Sequence, residues 1–517
     1  MTSLWLDRSG AFTSDPFEPD TKYDTVVAGA GLTGLVTALL LARSGQKVLV
    51  LEARFPGAVT TGNTTAKVTL LQGTFLSQLA RQYSQKQVRA YVDGNLEGQA
   101  WLLRYLDDHG VPYQRRDAYT YATTPQATEK LREEVSAGTT AGLAMEYVRD
   151  AGLPFAVHGA VRLPDQAQIH PMEVVDTLVA DIRGRGGTVV SGVRLRDVTG
   201  DLPSAVKTNR GSVRADRVVI ATGIPVLDRG LYFAKLKPSR SYAAALELQE
   251  GQAPPPGMYI SVEQPTHSLR DYEHNGRRLL LVGGHGHHVG RATSERAHLN
   301  GLLDWTRQHY PGAVTTHAWS AQDYMATNLM PFFGKMPRGK GHIYFGTGYN
   351  KWGMTNAVAA ALGISADILG GHVPWADTIH HRVTSPSGAF SAVALNAGVA
   401  AKMASGWGQL AAEGLKKEGA KALKRGKDQA PAPAPAPVIP AEGEGTVYRE
   451  GTRPVAVSTV DGTTCKLSAV CTHLGGIVHW NDSERTWDCP LHGSRFTNEG
   501  KLLEGPATKD LPRDGKA

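Results

Sequence analysis

The chain has 517 residues, too many for one ordinary hydrophobic core, so two or more domains are expected. Its composition, 41% hydrophobic and 20% charged, is that of a globular protein, and no apolar run reaches membrane-spanning length. A scattered net charge of +7 excludes a nucleic-acid footprint, three cysteines exclude a disulfide framework, and the absence of a signal-peptide pattern at the start predicts a reducing, cytoplasmic location.

The first informative stretch is YDTVVAGAGLTGLVTALLLARSGQKVLVLEA, from Tyr23. Thr25–Ala28 reads as a buried strand, and Gly29, Gly31 and Gly34 follow as Gly-x-Gly-x-x-Gly. An apolar helix pattern runs to about Arg43, Gly45 ends it, and Lys47–Glu52 reads as a second strand. Gly29 permits a tight turn, Gly31 lets the backbone approach a pyrophosphate, and Gly34 lets helix and strand pack closely. The helix N-terminus offers free N–H groups to phosphate. Glu52, 18 residues past Gly34, can accept hydrogen bonds from ribose hydroxyls.

Further along, RADRVVIATGIP (Arg214–Pro225) reads as a buried strand ending in Ala221-Thr222-Gly223. GGHGHHVG (Gly283–Gly290) lacks dinucleotide spacing, and its histidines 285, 287 and 288 have no Cys or carboxylate at ligand spacing, so it is expected to be a loop near the substrate pocket. Gly341–Gly371 reads as a strand, a turn rich in glycine (Gly346, Gly348, Gly353) and an apolar helix from near Thr355.

Ala221-Thr222-Gly223 resembles the second strand–turn motif of flavoproteins with two dinucleotide-binding domains. Gly341–Gly371 resembles the last FAD motif of the D-amino-acid oxidase-like (glycine oxidase-like) family. In that family TGNTTAKVT (Thr61–Thr69) would run past the pyrophosphate and flavin, and Gln168–Val198 would be a helix and then a strand beside the adenine. The resemblance covers roughly residues 20–375 and implies FAD. By it, Gly29, Gly31, Gly34, Glu52, Thr64, Thr65, Val193, Ala221, Gly223, Gly346, Gly348, Gly353, Met354 and Thr355 would bind the cofactor. It implies an α/β Rossmann-like FAD-binding domain (about 20–75, 160–225 and 320–375) interleaved with an α+β substrate domain (about 76–159 and 226–319). Arg240, Tyr242, His267, Arg270, Tyr324 and Lys351 lie in segments that approach the flavin in the family, where an Arg with a Tyr could clamp a substrate carboxylate. Domain packing is the competing reading for each of the six. No second Gly-x-Gly-x-x-Gly is present, so no separate NAD(P)H domain is visible.

Residues 376–440 read as a helical and Pro/Ala-rich linker ending in PAPAPAPVIP (Pro431–Pro440), an extended spacer. Before it, LKKEGAKALKRGK (Leu415–Lys427) carries six basic residues against one acidic, either a solvated helix face or a docking surface for an acidic partner or anionic lipid.

Two of the three cysteines then appear in Cys471-Thr-His473 and Cys489-Pro-Leu-His492. Cys and His are the usual zinc ligands. Here, however, each pair sits in a loop beside Gly or Pro, and the flanks (Pro454–Val460, Lys466–Val470, Gly500–Pro506) read as β. The segment 441–517 resembles a small all-β Rieske domain. The resemblance implies a 2Fe–2S cluster with Cys471 and Cys489 on one iron and His473 and His492 on the other, Ser494 bonding a cluster sulfur, and Gly505–Ala507 covering it. Neutral imidazoles in place of two thiolates raise the potential over an all-cysteine cluster. The respiratory type carries a disulfide between the loops; Gly476 and Leu491 stand at those positions, so packing and hydrogen bonds must hold the loops. Cys465 is expected to be an ordinary buried thiol.

A flavin accepts electrons in pairs and the cluster carries one at a time. The combination predicts an oxidoreductase that takes electrons from a small organic substrate, an amine or amino acid by resemblance, and passes them singly to an external redox partner. The alternatives are a cluster-fed flavin reductase or oxygenase, and a non-catalytic electron carrier or redox sensor.

Overall fold

The structure is a computed structural model that describes residues 1–8, 12–274, 276–382, 386–423 and 439–513. The chain divides into two compact units. The first comprises Met1–His287 and Ala297–Ala392, the second His288–Arg296 and Val393–Ala517.

The first unit is built on two sheets. One has the strand order Phe332–Lys335, Ile343–Thr347, Gly211–Ile220, Lys22–Ala28, Val48–Leu51, Thr188–Val190, with Leu195–Thr199 and Ser204–Thr208 attached to Gly211–Ile220. Its four central pairings are parallel. Parallel strands are covered on both faces, and Val48–Leu51 is accordingly buried at every position. Helix Leu32–Arg43 packs on this sheet; its pattern of Leu, Val and Ala is buried nearly all round. Two residues further into the same core, Leu4 and Trp5, come from the N-terminal segment.

The other sheet orders Val314–Ala326, Leu236–Glu247, Arg277–His288, His267–His274, Met258–Ser261, Tyr113–Ala122, Gly159–Ile169 and Lys67–Val68, with Glu146–Val148 on the Gly159–Ile169 edge. Gly159–Ile169 and Val314–Ala326 both belong to this sheet. Gly283–His288 is the end of a strand, not a loop. Alternation along Arg277–His288 explains the packing: Leu279 and Leu281 face the core shared with the first sheet, while Leu280 and Val282 face helix Glu295–His309.

The second unit carries a three-stranded antiparallel sheet (Gly445–Glu450, Arg453–Val460, Thr463–Ser468) and a four-stranded one (His479–Asn481, Thr486–Asp488, Arg495–Thr497, Leu502–Glu504). Its core gathers Ala456, Leu467, Trp480, Trp487 and Phe496 around Cys471 and Cys489. Arg495 is buried, yet its charge is met by Glu484, Asp488 and Glu504. Cys465 sits half-exposed, two residues into its strand from the hairpin turn, not buried. Part of the expected linker is helical, Pro386–Leu423, and Val399 of that helix packs on the unit's core. Most of the Pro/Ala stretch, and the side chains of the basic run, lie outside the described residues.

Candidate functional site

The first site is a backbone cradle. Strand Lys22–Ala28 ends at Gly29, whose φ is +105°, in the region that glycine alone adopts freely. A Cβ at Gly29 would stand 2.3 Å from the Ala221 carbonyl oxygen, and one at Gly34 would stand 1.9 Å from the Gly29 carbonyl oxygen. The glycines are thus required by the approach of strand to strand and helix to turn. At Gly31 the space is looser, with Thr61 Oγ1 3.2 Å from a built Cβ. Gly31 begins the helix without a side-chain cap.

Glu52 follows the next strand. Its carboxylate accepts from the Ala30 and Arg54 N–H groups, both at 2.9 Å. Burial pushes its carboxyl above the usual range, against those two hydrogen bonds. Val193 lies alongside: its N–H donates to the Glu52 carbonyl at 2.9 Å, and its side chain is fully buried. Ala221 N–H donates to the Ala28 carbonyl at 2.8 Å, bringing the Ala221-Thr222-Gly223 turn to the first turn. Thr347 Oγ1 donates to the Gly223 carbonyl, joining this turn to the Gly346–Gly348 region.

Helix Gly353–Ile368 begins two residues earlier than expected, again without a side-chain cap. The turn before it is strained: Asn350 and Lys351 both have positive φ, +53° and +72°. Side chains hold it there. Asn350 Oδ1 accepts from Ala326 N–H at 2.8 Å, and Lys351 N–H donates to the Asp323 carboxylate. The helix's first turn is fixed from below by buried polar groups. Thr355 Oγ1 donates to Asn95 Oδ1 at 2.6 Å, Asn356 Nδ2 donates to Tyr91 O–H at 3.0 Å, and Tyr91 donates to Gln72 Oε1 at 2.5 Å. Thr64 and Thr65 belong to the neighbouring segment. The Thr64 carbonyl accepts from the Trp5 indole at 2.6 Å, and Thr65 Cγ2 is 3.2 Å from a Cβ built on Gly283.

The six residues expected near the substrate divide. Lys351 Nζ donates to Ser241 Oγ at 2.6 Å, beside Gly286. The Tyr324 ring stands 3.4 Å from a Cβ built on Gly223, and its hydroxyl accepts from Gln322 Nε2 at 2.8 Å. Arg240 is buried and donates to Ser320 Oγ and Gln322 Oε1. These three converge with the glycine-rich turns. The other three do not. Tyr242 O–H pairs with His287 Nε2 at 3.0 Å and packs with Val282 and Leu302. His267 Nε2 meets His285 Nε2 at 3.1 Å and stacks on Trp305 at 4.0 Å. Arg270 is fully buried between Trp5 and Tyr272, 5.2 and 5.5 Å from their ring centres. Arg240 and Tyr242 engage different side chains, Ser320 and Gln322 for the guanidinium and His287 for the phenol.

Sequence reasoning missed Lys67. Its ammonium donates to Thr65 Oγ1 and Ser268 Oγ, both at 3.2 Å. Burial, and then the Arg270 guanidinium, pull it down to about 7. Its signal in the sequence was a lone Lys between Thr-Thr-Ala and Val-Thr, a position with no separate motif.

The second site is made of side chains. The Cys471 and Cys489 thiols meet across the two loops. Both thiols and His492 are almost fully buried, and the His473 and His492 rings stand 5.1 Å apart, edge to face. Backbone hydrogen bonds close each loop: Cys471 N–H to the Gly476 carbonyl, and Cys489 N–H to the Ser494 carbonyl, both at 2.8 Å. Ser494 Oγ accepts from Ala507 N–H at 3.0 Å and hydrogen-bonds the Cys471 thiol. Leu491 packs onto Gly476: a Cβ there would stand 2.6 Å from Leu491 Cδ1 and 3.1 Å from Cys489 Sγ. The loops thus touch through a leucine seated on a glycine. Among the described residues no three His, Cys, Asp or Glu side chains gather as one metal ion requires. A binuclear cluster takes two protein ligands per iron, so two thiols and two imidazoles in facing loops fit it, whereas zinc wants four about one point.

The family model for FAD dependent oxidoreductase matches residues 24–366, and that for the Rieske [2Fe-2S] domain matches residues 435–513. The chain belongs to the FAD-dependent oxidoreductases and ends in a Rieske domain. It binds FAD in the first and a 2Fe–2S cluster in the second. A Bacillus subtilis (strain 168) protein named as a Rieske 2Fe-2S iron-sulfur protein, YhfW, is 30% identical over 519 residues, covering 98% of this chain and 96% of its own. Glycine oxidase from Geobacillus kaustophilus superposes with a TM-score of 0.59 at 15% identity, over 68% of this chain and 96% of that one. L-Proline dehydrogenase from P. horikoshii gives 0.58 at 16% identity, over 70% and 98%. These two likenesses are of fold. No helix among the described residues is long and apolar enough to cross a membrane.

Proposed function

We propose that this FAD- and iron–sulfur-dependent oxidoreductase oxidises a small amine or amino acid at its C–N bond and releases the electrons one at a time to an external redox partner. The observation that carries the reading is a pair of lysines held by hydroxyls: Lys351, in the turn before helix Gly353–Ile368, on Ser241, and Lys67 on Thr65 and Ser268. Among the described residues each side-chain nitrogen is held by hydroxyls, which leaves the Lys351 ammonium to pair with a substrate carboxylate and Lys67, drawn down by burial, to take a proton. The fold neighbours named for glycine and proline point the same way.

FAD, when bound, supplies a two-electron acceptor. The chain's own residues do the rest. Gly29, Gly31 and Gly34, with the uncapped N-terminus at Gly31, would receive the pyrophosphate, and Glu52 the ribose. Ala221, Gly223, Thr64 and Thr65 would flank the cofactor, with Val193 on the adenine side. Gly346, Gly348, Gly353, Met354 and Thr355 would present the second uncapped N-terminus, whose positive dipole end favours negative charge on its ligand. Oxidation of an amine to an imine removes two electrons and two protons. Lys67, held near neutrality by burial, is placed to accept a proton from a substrate ammonium. In the second unit Cys471, Cys489, His473 and His492 would hold the cluster, whose chemistry is one-electron transfer.

The test is an anaerobic screen of amines, amino acids and secondary alcohols against the oxidised protein, following the flavin absorbance band. An amine or amino acid should bleach it. If none does, and a reduced one-electron donor protein does, the flow runs inward and the proposal fails.

A further inference from the structure

Two arginines of the cluster unit, Arg495 and Arg291, stand in opposite circumstances. Arg495 is ringed by three carboxylates and is electrically compensated. Arg291 is not. It lies in His288–Arg296, a stretch far from the Rieske match in sequence that groups with this unit.

That stretch is pinned at two points. Gly290 backs directly onto the second ligand loop, where a Cβ would stand 2.9 Å from the Pro490 nitrogen and 3.1 Å from the Cys489 carbonyl carbon. Beyond it, Ser294 Oγ and Arg296 N–H donate to the Asp482 carboxylate at 2.6 and 2.9 Å. Between these anchors Arg291 Nε donates to the Pro490 carbonyl at 3.0 Å, one residue from Cys489. Arg291 Nη2 is buried without an acceptor among the described residues. Its ordinary partner would be a carboxylate, and among the described residues none is within ion-pair reach.

We infer that Arg291 sets the potential of the iron–sulfur centre, as a fixed and uncompensated positive charge on the Cys489 side. Reduction adds one negative charge to the cluster. A cation held close by in a low-dielectric surrounding lowers the energy of the reduced form and so raises the potential. The charge comes from outside residues 435–513, so the potential is a property of the whole chain and not of the Rieske sequence alone.

The test is a redox titration of full-length, cluster-loaded protein followed by electron paramagnetic resonance. Arg291→Gln should lower the midpoint potential with cluster content unchanged, and Arg291→Lys should titrate near the wild type. A wild-type potential in Arg291→Gln overturns the inference. So does an Arg291→Lys potential as low as that of Arg291→Gln, which would assign the effect to the guanidinium hydrogen bond instead of its charge. If Arg291→Gln does not load, Arg291→Met, which keeps the length of the side chain without its charge, takes its place: a lowered midpoint is expected in loaded Arg291→Met, and a wild-type midpoint overturns the inference.

Discussion

The cofactor cradle and the cluster loops solve the same problem, holding a redox group, with opposite materials. The cradle is backbone: glycines that admit close approach, and two helix N-termini whose N-cap residues offer no side-chain cap. It is assembled from turns at 29–34, 221–223 and 346–355, far apart in sequence. The cluster loops use side chains, four of them within 22 residues, from Cys471 to His492. A backbone site fails when a side chain is added; a side-chain site fails when one is removed.

Gly34→Val should break the contrast most completely. Its Cβ would stand 1.9 Å from a carbonyl oxygen that cannot move without unmaking the turn. The expected result is loss of FAD, read by absorbance, with the cluster's paramagnetic signal retained. Gly31→Val should be milder, because its nearest neighbour is the Thr61 hydroxyl at 3.2 Å. Cys471→Ser is the converse: the cluster signal should vanish while FAD stays bound. Loss of both cofactors in either variant would show that the two sites do not stand independently.

Leu491→Ala addresses how the loops hold together without a disulfide. Leu491 is buried against Gly476, and truncation should cost about 2–5 kcal/mol in the thermal or denaturant stability of the cluster unit. A cost below about 1 kcal/mol would move the burden to the backbone hydrogen bonds.

The smallest expected effect concerns Glu134. Its carboxylate accepts from Leu76 and Ser77 N–H groups at 3.0 and 2.8 Å, and burial pushes it up to about 7. The folded state keeps this proton at pH values where the unfolded chain, with a value near 4.5, has released it. Stability of the first unit should therefore fall as pH rises from about 4.5 to about 7, by up to about 3 kcal/mol. Glu134→Gln should flatten that part of the profile. Arg495, whose burial is matched by three carboxylates, shows the compensated arrangement that Glu134 lacks.

The two sites also differed in how far the sequence revealed them. Gly29, Gly31, Gly34 and Glu52 were readable because strand, turn, helix and acid fall in register over 30 residues. Cys471, His473, Cys489 and His492 were readable because they are local. The lysine at 67 was not, since its meaning depends on Ser268, 201 residues away. Arg291 was hidden for the same reason, its partner Pro490 lying 199 residues on. Neighbours in sequence do not share partners: Ser320 and Gln322 take the Arg240 guanidinium and His287 the Tyr242 phenol, which their spacing alone does not reveal. The histidine-rich stretch was read as a loop from its glycines, yet Arg277–His288 is a strand because its paired neighbours Leu236–Glu247 and His267–His274 hold it extended.

The central claim is that electrons taken from a small substrate leave through the cluster. The most direct measurement is to add a substrate that bleaches the flavin to anaerobic full-length protein, freeze, and record the paramagnetic signal of the reduced cluster. The account predicts that the signal appears as the flavin band falls, and that in Cys471→Ser the band falls with no signal. A flavin band that falls in the wild type while the cluster stays oxidised, with no acceptor present, would contradict it.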